Sequence, residues 1–457
     1  MDRRDHRRPR AADPGVAGGG RRRRRGHADV DLGQAEGERP VRRHLPGHPP
    51  DGIDDRTAVS GPVGHAGRGR DHGGVGGGVR GPVRRERVPV RPRLTAVPRT
   101  ALVTGGTGFV GAGVVRALIE QGWDVVALAR TDASAGALAR AGARPALGDL
   151  ARPDAILRAA AGCDAVFHAA GLNASCLPDP SPLVRVNVEG TRNVLEAAAR
   201  AGVRRFVHTS SAAAIGEPAG TVGREDTVHR GWFLTAYERS KFEAERLVLD
   251  RGPELGLEVV CVDPASVQGP GRAEGTARLL LAAARGRLPL AFDAWLSFVD
   301  VDDCALGHVR AAERGRPGER YVLSGGSIRV RRALDVLRGV TGRPSRTWFV
   351  PARAVLPAAA VVEAAAHTVG RTPPICREVV RAGLHGHRYD GSRATRELGL
   401  VYTPFELTLR RTVDWFVSRG LLGDGTAGHR AEGSAYHGDL GAEPTRPDTR
   451  TRRWRSP

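Results

Sequence analysis

From position 100 the chain alternates short apolar runs with amphipathic stretches. Ala101-Leu102-Val103-Thr104 reads as a buried strand. A glycine-containing turn follows. Residues 109–121 then place Val110, Val114 and Leu118 on one face, with Gly122 as a stop, which predicts an amphipathic helix. The unit repeats. Strands are predicted at 124–129, 143–147, 164–168, 205–209 and 257–262, and helices at 133–141, 153–161, 183–201 and 235–250. Such alternation predicts right-handed crossovers and an α/β fold: a doubly wound parallel sheet covered on both faces. Ligands of such sheets sit beyond the carboxyl ends of the strands. After Pro264 the alternation weakens. Helical segments with a few short strands, such as 320–323, predict a smaller, partly helical region over that carboxyl edge. The organisation expected is a tail over 1–98, a doubly wound domain over 99–263, a smaller region with returning sheet elements over 264–423, and a second tail over 424–457.

Composition changes the picture mainly at the ends. The 457 residues carry a formal charge of +20, and residues 1–98 hold 22 basic and 12 acidic residues. That segment has no Phe, Trp or Tyr, and 30 of its 98 residues are Gly or Pro. It buries too little apolar surface to offset the entropy of ordering it, so disorder is expected. The run Arg21–Arg25 invites a polyanion through charge alone. No interleaved aromatic offers a stacking platform, which disfavours nucleic acid as the partner. The five cysteines (163, 176, 261, 304, 376) are odd in number, widely spaced and without a CxxC pair. They argue against a disulfide framework and a zinc site, and for a reducing, cytoplasmic compartment with no metal bound. No secretory h-region and no uncharged apolar run of membrane length is present in the sequence.

Two motifs carry chemistry. Thr104-Gly105-Gly106-Thr107-Gly108-Phe109-Val110-Gly111 lies between the first strand and the first helix. Glycines at 105, 108 and 111 permit a tight turn, close approach of a pyrophosphate and close helix–strand packing. The helix N-terminus adds free N–H groups and a positive dipole end. At the end of the second strand, where an acidic residue would bind the ribose hydroxyls of NAD, stands Arg130. A guanidinium suits a 2′-phosphate, so NADP is favoured, with NAD as the alternative. Asp149 either binds the adenine amine or caps the following helix.

The second motif is Tyr237-Glu238-Arg239-Ser240-Lys241. Residues four apart share a helical face. An ammonium beside a phenol stabilises the phenolate and fits Tyr237 for proton transfer at a carbonyl or alcohol oxygen. Lys241 is the only lysine in the chain; the other 69 basic residues are arginines. A sequence that otherwise uses Arg throughout keeps a compact, directable ammonium here. Ser210 and Ser211 end the strand before it, and Ser211 is the expected hydroxyl partner of the reacting oxygen. Trp232, Phe233, Trp295 and Phe298 are candidates either for the substrate pocket or for the core.

With these residues in view, the chain resembles the extended short-chain dehydrogenase/reductase family, the NAD(P)-dependent epimerase/dehydratase and dihydroflavonol-reductase-like proteins. Further stretches fit over about 100–420: Phe167-His168-Ala169-Ala170-Gly171, Val186-Asn187-Val188-Glu189-Gly190-Thr191, Pro264-Ala265-Ser266-Val267-Gln268-Gly269-Pro270 and Phe298-Val299-Asp300-Val301-Asp302-Asp303. The resemblance implies a Rossmann domain. It implies catalysis by Ser211, Tyr237 and Lys241. It implies a cofactor site of Gly105, Thr107, Gly108, Phe109, Val110, Gly111, Arg130, Asp149, Leu150, His168, Ala169, Ala170, Asn187, Tyr237, Lys241, Pro264 and Val267. A small-molecule substrate and a homodimer are the partners expected. Ala212-Ala213-Ala214 stand where the family's dehydratases carry acidic residues, which disfavours dehydration. Hydride transfer at a carbonyl or alcohol carbon is the expected activity. Nucleotide-sugar epimerisation with tightly bound NAD, also suggested by a likeness to hopanoid-associated sugar epimerases, and a non-catalytic cofactor-binding regulator are the alternatives.

Overall fold

A computed structural model describes residues 99–423 except 344–345, 369–370, 372 and 374. The tails expected over 1–98 and 424–457 lie outside the described residues. The first half alternates strands and helices: β1 (Thr100–Thr104), α1 (Phe109–Glu120), β2 (Asp124–Ala129), α2 (Asp132–Arg140), β3 (Arg144–Leu147), α3 (Pro153–Ala160), β4 (Ala165–His168), α4 (Ser181–Leu183), α5 (Gly190–Arg200), β5 (Arg205–Thr209), α6 (Ala236–Glu254) and β6 (Glu258–Pro264). The second half holds β7 (Ser266–Gln268), α7 (Thr276–Ala284), β8 (Leu290–Ala291), β9 (Trp295–Asp300), α8 (Val301–Arg314), β10 (Arg320–Leu323), β11 (Gly326–Arg329), α9 (Val330–Thr341), β12 (Trp348–Phe349), α10 (Ala352–Thr368), α11 (Arg377–His385), α12 (Ser392–Leu398) and α13 (Phe405–Ser418).

Seven strands form one sheet in the order β10-β6-β5-β4-β1-β2-β3. Every pairing in it is parallel. The strand order reverses between β1 and β4, so a crevice opens there at the carboxyl edge, the usual ligand position in this architecture. Two apolar layers clamp the sheet. On one face Val114 and Leu118 of α1, Leu138 of α2 and Cys304, Ala305 and Val309 of α8 pack against the strands. On the other, Ile156 of α3, Val194 and Leu195 of α5 and Val248 of α6 do so. A separate cluster joins α7, α9 and α13 around Phe298.

Three differences from the expected elements have physical causes. The helix expected over 183–201 is interrupted by a π-helical stretch, Val184–Glu189. Such wide turns re-aim side chains at functional sites; this one carries Asn187. The helix expected to end at 250 runs to Glu254 with Pro253 in its last turn. Strands β7, β9 and β11 form a small mixed sheet, with β11 antiparallel and β7 parallel to β9. Their short runs carry little local period.

The cysteine expectation is corrected. Cys176 and Cys376, 200 residues apart, form a disulfide. The fold brings two loops together that the spacing does not connect. Cys163, Cys261 and Cys304 are free and buried. Among the described residues, no helix is long and apolar enough to cross a membrane.

Candidate active site

The glycine turn is closed by Gly108 N–H donating to the Gly105 carbonyl at 2.9 Å. Gly105 has a φ of +72°, and a Cβ there would meet the Ala170 backbone at 2.6 Å. A Cβ on Gly111 would lie 2.1 Å from the Gly105 carbonyl oxygen. Both positions demand glycine. Helix α1 starts at Gly108 with no side-chain cap and no acidic residue in its first turn. Its N-terminal dipole is left uncompensated, a fit for a pyrophosphate. Thr107 is exposed, Phe109 and Val110 are half-buried, and Ala169 and Ala170 run alongside the turn. These residues form a cradle of dinucleotide type.

Arg130 is exposed at the carboxyl end of β2. Asp149 accepts from the Ala151 N–H at 2.9 Å, bracing its own turn rather than capping α3, which begins at Arg152 without a side-chain cap. Leu150 lies against Gly190. Pro264 ends β6 in register with Leu323, and Val267 pairs with Val299.

The Tyr–Lys face forms as the spacing requires. Thr235 caps α6 by accepting from the Glu238 N–H at 2.9 Å. Ser211, two residues past β5, accepts from the Ala213 N–H at 3.3 Å through Oγ and lies close enough to the Tyr237 phenol to favour its ionised form. Packing around the phenol pushes its pKa above the ordinary value, and Ser211 opposes that shift. Lys241 is buried and donates from Nζ to the Thr209 carbonyl at 2.6 Å. Burial lowers its pKa to about 8, against the opposing pull of Glu245 and Asp263. Asn187 accepts from the Leu172 N–H at 2.7 Å and donates to the Leu172 carbonyl at 3.0 Å and to Ser240 at 2.9 Å. A Cβ on Gly171 would lie 3.3 Å from Asn187 Oδ1 and 3.8 Å from Lys241 Nζ, so the three residues adjoin.

His168 lies beneath the site. It is fully buried, with Nδ1 2.7 Å from Thr104 Oγ1 and Nε2 2.9 Å from Thr191 Oγ1. Its side chain thus braces the sheet. His208 stacks on it at 5.5 Å, and His308 bonds Thr209 Oγ1 at 2.9 Å. Burial first, and the Lys241 charge second, hold His168 down to about 3. His308 is likewise lowered by burial, to about 4.

Of the aromatic candidates, Phe298 packs on Phe405 in the helical core at 4.6 Å. Phe233 packs on His229 and Phe242, and Trp232 is exposed beneath the Arg230 guanidinium.

Sequence reasoning missed several residues. Arg272, from the loop after β7, sits over the Phe109 ring at 4.7 Å, a cation against the phosphate turn. Glu217, His385 and His387 bring ligand atoms within 4.8 Å of one another, the donor set of a cation site. His387 Nδ1 donates directly to Glu217 Oε1 at 2.6 Å. Arg230 donates to the Glu217 carbonyl at 3.3 Å and forms a buried pair with Glu238. That neighbouring guanidinium favours the hydrogen-bonded arrangement over a metal. His385 and His387, two residues apart in the sequence, are the single local hint of this cluster.

A family model described as the NAD dependent epimerase/dehydratase family matches residues 101–324. Sterol demethylase protein B of Methylococcus capsulatus is 36% identical over 332 residues, covering 71% of this chain and 100% of that protein. The chain belongs to the NAD-dependent epimerase/dehydratase family. A Synechocystis member, provisionally named a dihydroflavonol 4-reductase, is 35% identical over 329 residues, covering 70% of this chain and 95% of its own length. The crystal structure of gox2253 superposes with a TM-score of 0.63 at 33% identity, covering 71% of this chain and 99% of that one. As a member of this family the chain is an enzyme of the extended short-chain dehydrogenase type.

Proposed function

We propose that this family member is a reductase that uses NADPH to convert a small-molecule ketone or aldehyde to an alcohol. The observation that carries the reading is Tyr237 one helical turn from the buried, solitary Lys241, whose Nζ is anchored on the Thr209 carbonyl at the end of β5, with Ser211 alongside. The cradle that a Cβ at 105 or 111 would fill, and the uncapped start of α1, fit a dinucleotide pyrophosphate. Gly105, Gly108, Gly111, Ala169 and Ala170 would hold it, Arg272 would add charge, and Arg130 would face the 2′-phosphate. The bound nicotinamide supplies hydride.

The remaining work falls to the chain. Ser211 holds the substrate oxygen within reach of Tyr237. Tyr237, kept protonated by the packing around it, delivers its phenolic proton to that oxygen as negative charge develops. Lys241 stabilises the phenolate left behind, and its own proton is retained up to about pH 8. Asn187 fixes the strap that begins at Leu172. The Arg130 side chain and the reductase name borne by a relative at 35% identity support reduction over epimerisation.

Tyr237→Phe is expected to lower turnover by on the order of 10²–10⁴ while dinucleotide affinity stays unchanged. The measurement is NADPH oxidation over a panel of carbonyl compounds, alongside NADPH and NADH titrations. Full activity in the variant would remove Tyr237 from the mechanism. Turnover of a nucleotide sugar without net cofactor oxidation would replace reduction by epimerisation.

A further inference from the structure

One carboxylate outside the Tyr–Lys face touches the helix that carries it. Glu378, in the first turn of α11, accepts from the Ala236 N–H at 2.6 Å through Oε1. Its Oε2 accepts from the Cys176 N–H at 3.0 Å. Ala236 is the first residue of α6, directly before Tyr237. A helix start leaves such N–H groups without intrahelical partners, and an anion there is stabilised by the dipole. The partner comes from 142 residues away.

Glu378 is held in place covalently. Cys376, two residues before it, is bonded to Cys176. Cys176 has a φ of +60°, the only positive φ outside glycine among the described residues. A non-glycine residue in that region is strained unless its surroundings fix it. Here the disulfide and the Glu378 carboxylate do so together. The strap 172–176 is therefore pinned at one end by Asn187 and at the other by the disulfide.

The remaining cysteines are different in kind. Cys163, Cys261 and Cys304 are buried, and burial raises the pKa of each thiol, Cys163 to about 11. Buried, protonated thiols are inert. Cys176 is half-buried and Cys376 is buried, so Cys176 is the more exposed partner of the disulfide.

We propose that Glu378 is a positioning residue for the Tyr237 helix and that the Cys176–Cys376 bond is its reversible latch. This rests on the reductase reading of the Tyr237 site. The latch opens by thiol–disulfide exchange with a dithiol. A thiolate of the dithiol attacks the Cys176 sulfur, and Cys376 leaves and takes a proton. The second thiol of the dithiol then displaces Cys176. Two electrons and two protons pass to the pair, and the dithiol ends as a disulfide. Cys176 then loses its restraint, the strap loosens, and Glu378 no longer holds Ala236. The glycines at 105, 108 and 111 lie on a different loop from the disulfide and Glu378, so dinucleotide binding changes less than turnover does.

The test uses the full chain, oxidised or treated with dithiothreitol, with the thiol state read by alkylation and mass. Reduction is expected to lower kcat roughly tenfold, the scale of a small misplacement of a reacting group, with a smaller change in the NADPH Kd. Cys376→Ser should match the reduced protein and ignore dithiothreitol. Glu378→Ala should lower kcat even when oxidised, and Glu378→Gln, which keeps one acceptor, should recover part of it. Hydrogen exchange at the amides of Ala236 and residues 172–176 should quicken on reduction, a readout independent of any substrate. If alkylation finds two free thiols in air-oxidised protein, or if exchange and kcat stay the same after reduction, the latch is overturned. If exchange responds but no carbonyl compound is turned over, the latch stands and the reductase reading fails.

Discussion

Eight consecutive residues, Thr104 to Gly111, make the phosphate turn, whereas the side-chain contacts around the start of α6, here called the mouth, draw Cys176, Glu217, Arg230, Glu378 and His387 from separate segments. The first is built from backbone. What matters there is the absence of side chains at 105 and 111 and the direction of α1. The second is built from buried charge and a covalent bond between distant loops. A backbone cradle depends on glycine positions and chain direction, and it is written in one short stretch. A side-chain mouth depends on contacts between distant segments, each of which a single substitution removes.

The largest effect to look for concerns the layer beneath both regions. His168, His208 and His308 are buried and neutral, with pKa values lowered chiefly by burial, to about 3 for His168 and about 4 for His308. Between the ordinary value of 6.5 and these lowered values, the unfolded chain binds protons that the native protein excludes. Stability therefore rises with pH across that window and is lost as the solution is acidified through it. For His168 and His308 the loss is on the order of 3–5 kcal/mol each, and His208 adds to it in the same direction, so the layer rivals the whole stability of a domain. Acid unfolding followed by circular dichroism should have its midpoint above about pH 4, and His308→Gln should move it downward. A midpoint unaffected by that substitution would mean the layer is not a shared foundation.

A smaller effect separates the mouth from the cradle. Arg230 and Glu238 form a buried pair, 4% and 2% exposed. Arg230→Ala strands a buried carboxylate and should cost about 3–5 kcal/mol in urea denaturation. If the loss is below about 1 kcal/mol, buried charge does not hold the mouth together. The smallest effect tests the cradle's edge. Arg130 is exposed, so Arg130→Asp should shift the NADPH-to-NADH affinity ratio by only about three- to tenfold, toward NADH. An unchanged ratio would take Arg130 out of cofactor choice.

The same contrast decides what the sequence could reveal. The parallel strands and the turn at 105–111 were legible because their signals are local: apolar runs, a 3.6-residue period, glycines where a Cβ would clash. The Tyr237–Lys241 face was legible because one helical turn spans it. Glu378 was not, since nothing near position 378 says that its carboxylate reaches Ala236. The disulfide was read wrongly for the same reason: spacing along the chain carries no information about a contact 200 residues apart. The π-helical stretch at Asn187 was also hidden, because its residues fit an ordinary helix until tertiary bonds to Leu172 and Ser240 pull on the amide.

The solitary lysine also turns the protein into its own probe. An amine-acylating reagent finds a single side-chain target in the whole chain, and at 5% exposure that target is shielded in the folded state. With its pKa near 8, a useful fraction of the amine is neutral and nucleophilic at mildly alkaline pH. An acyl group located on the Lys241 peptide, apart from the α-amine, thus counts how often that side chain becomes exposed, and its loss on adding a compound reports that the compound shields it.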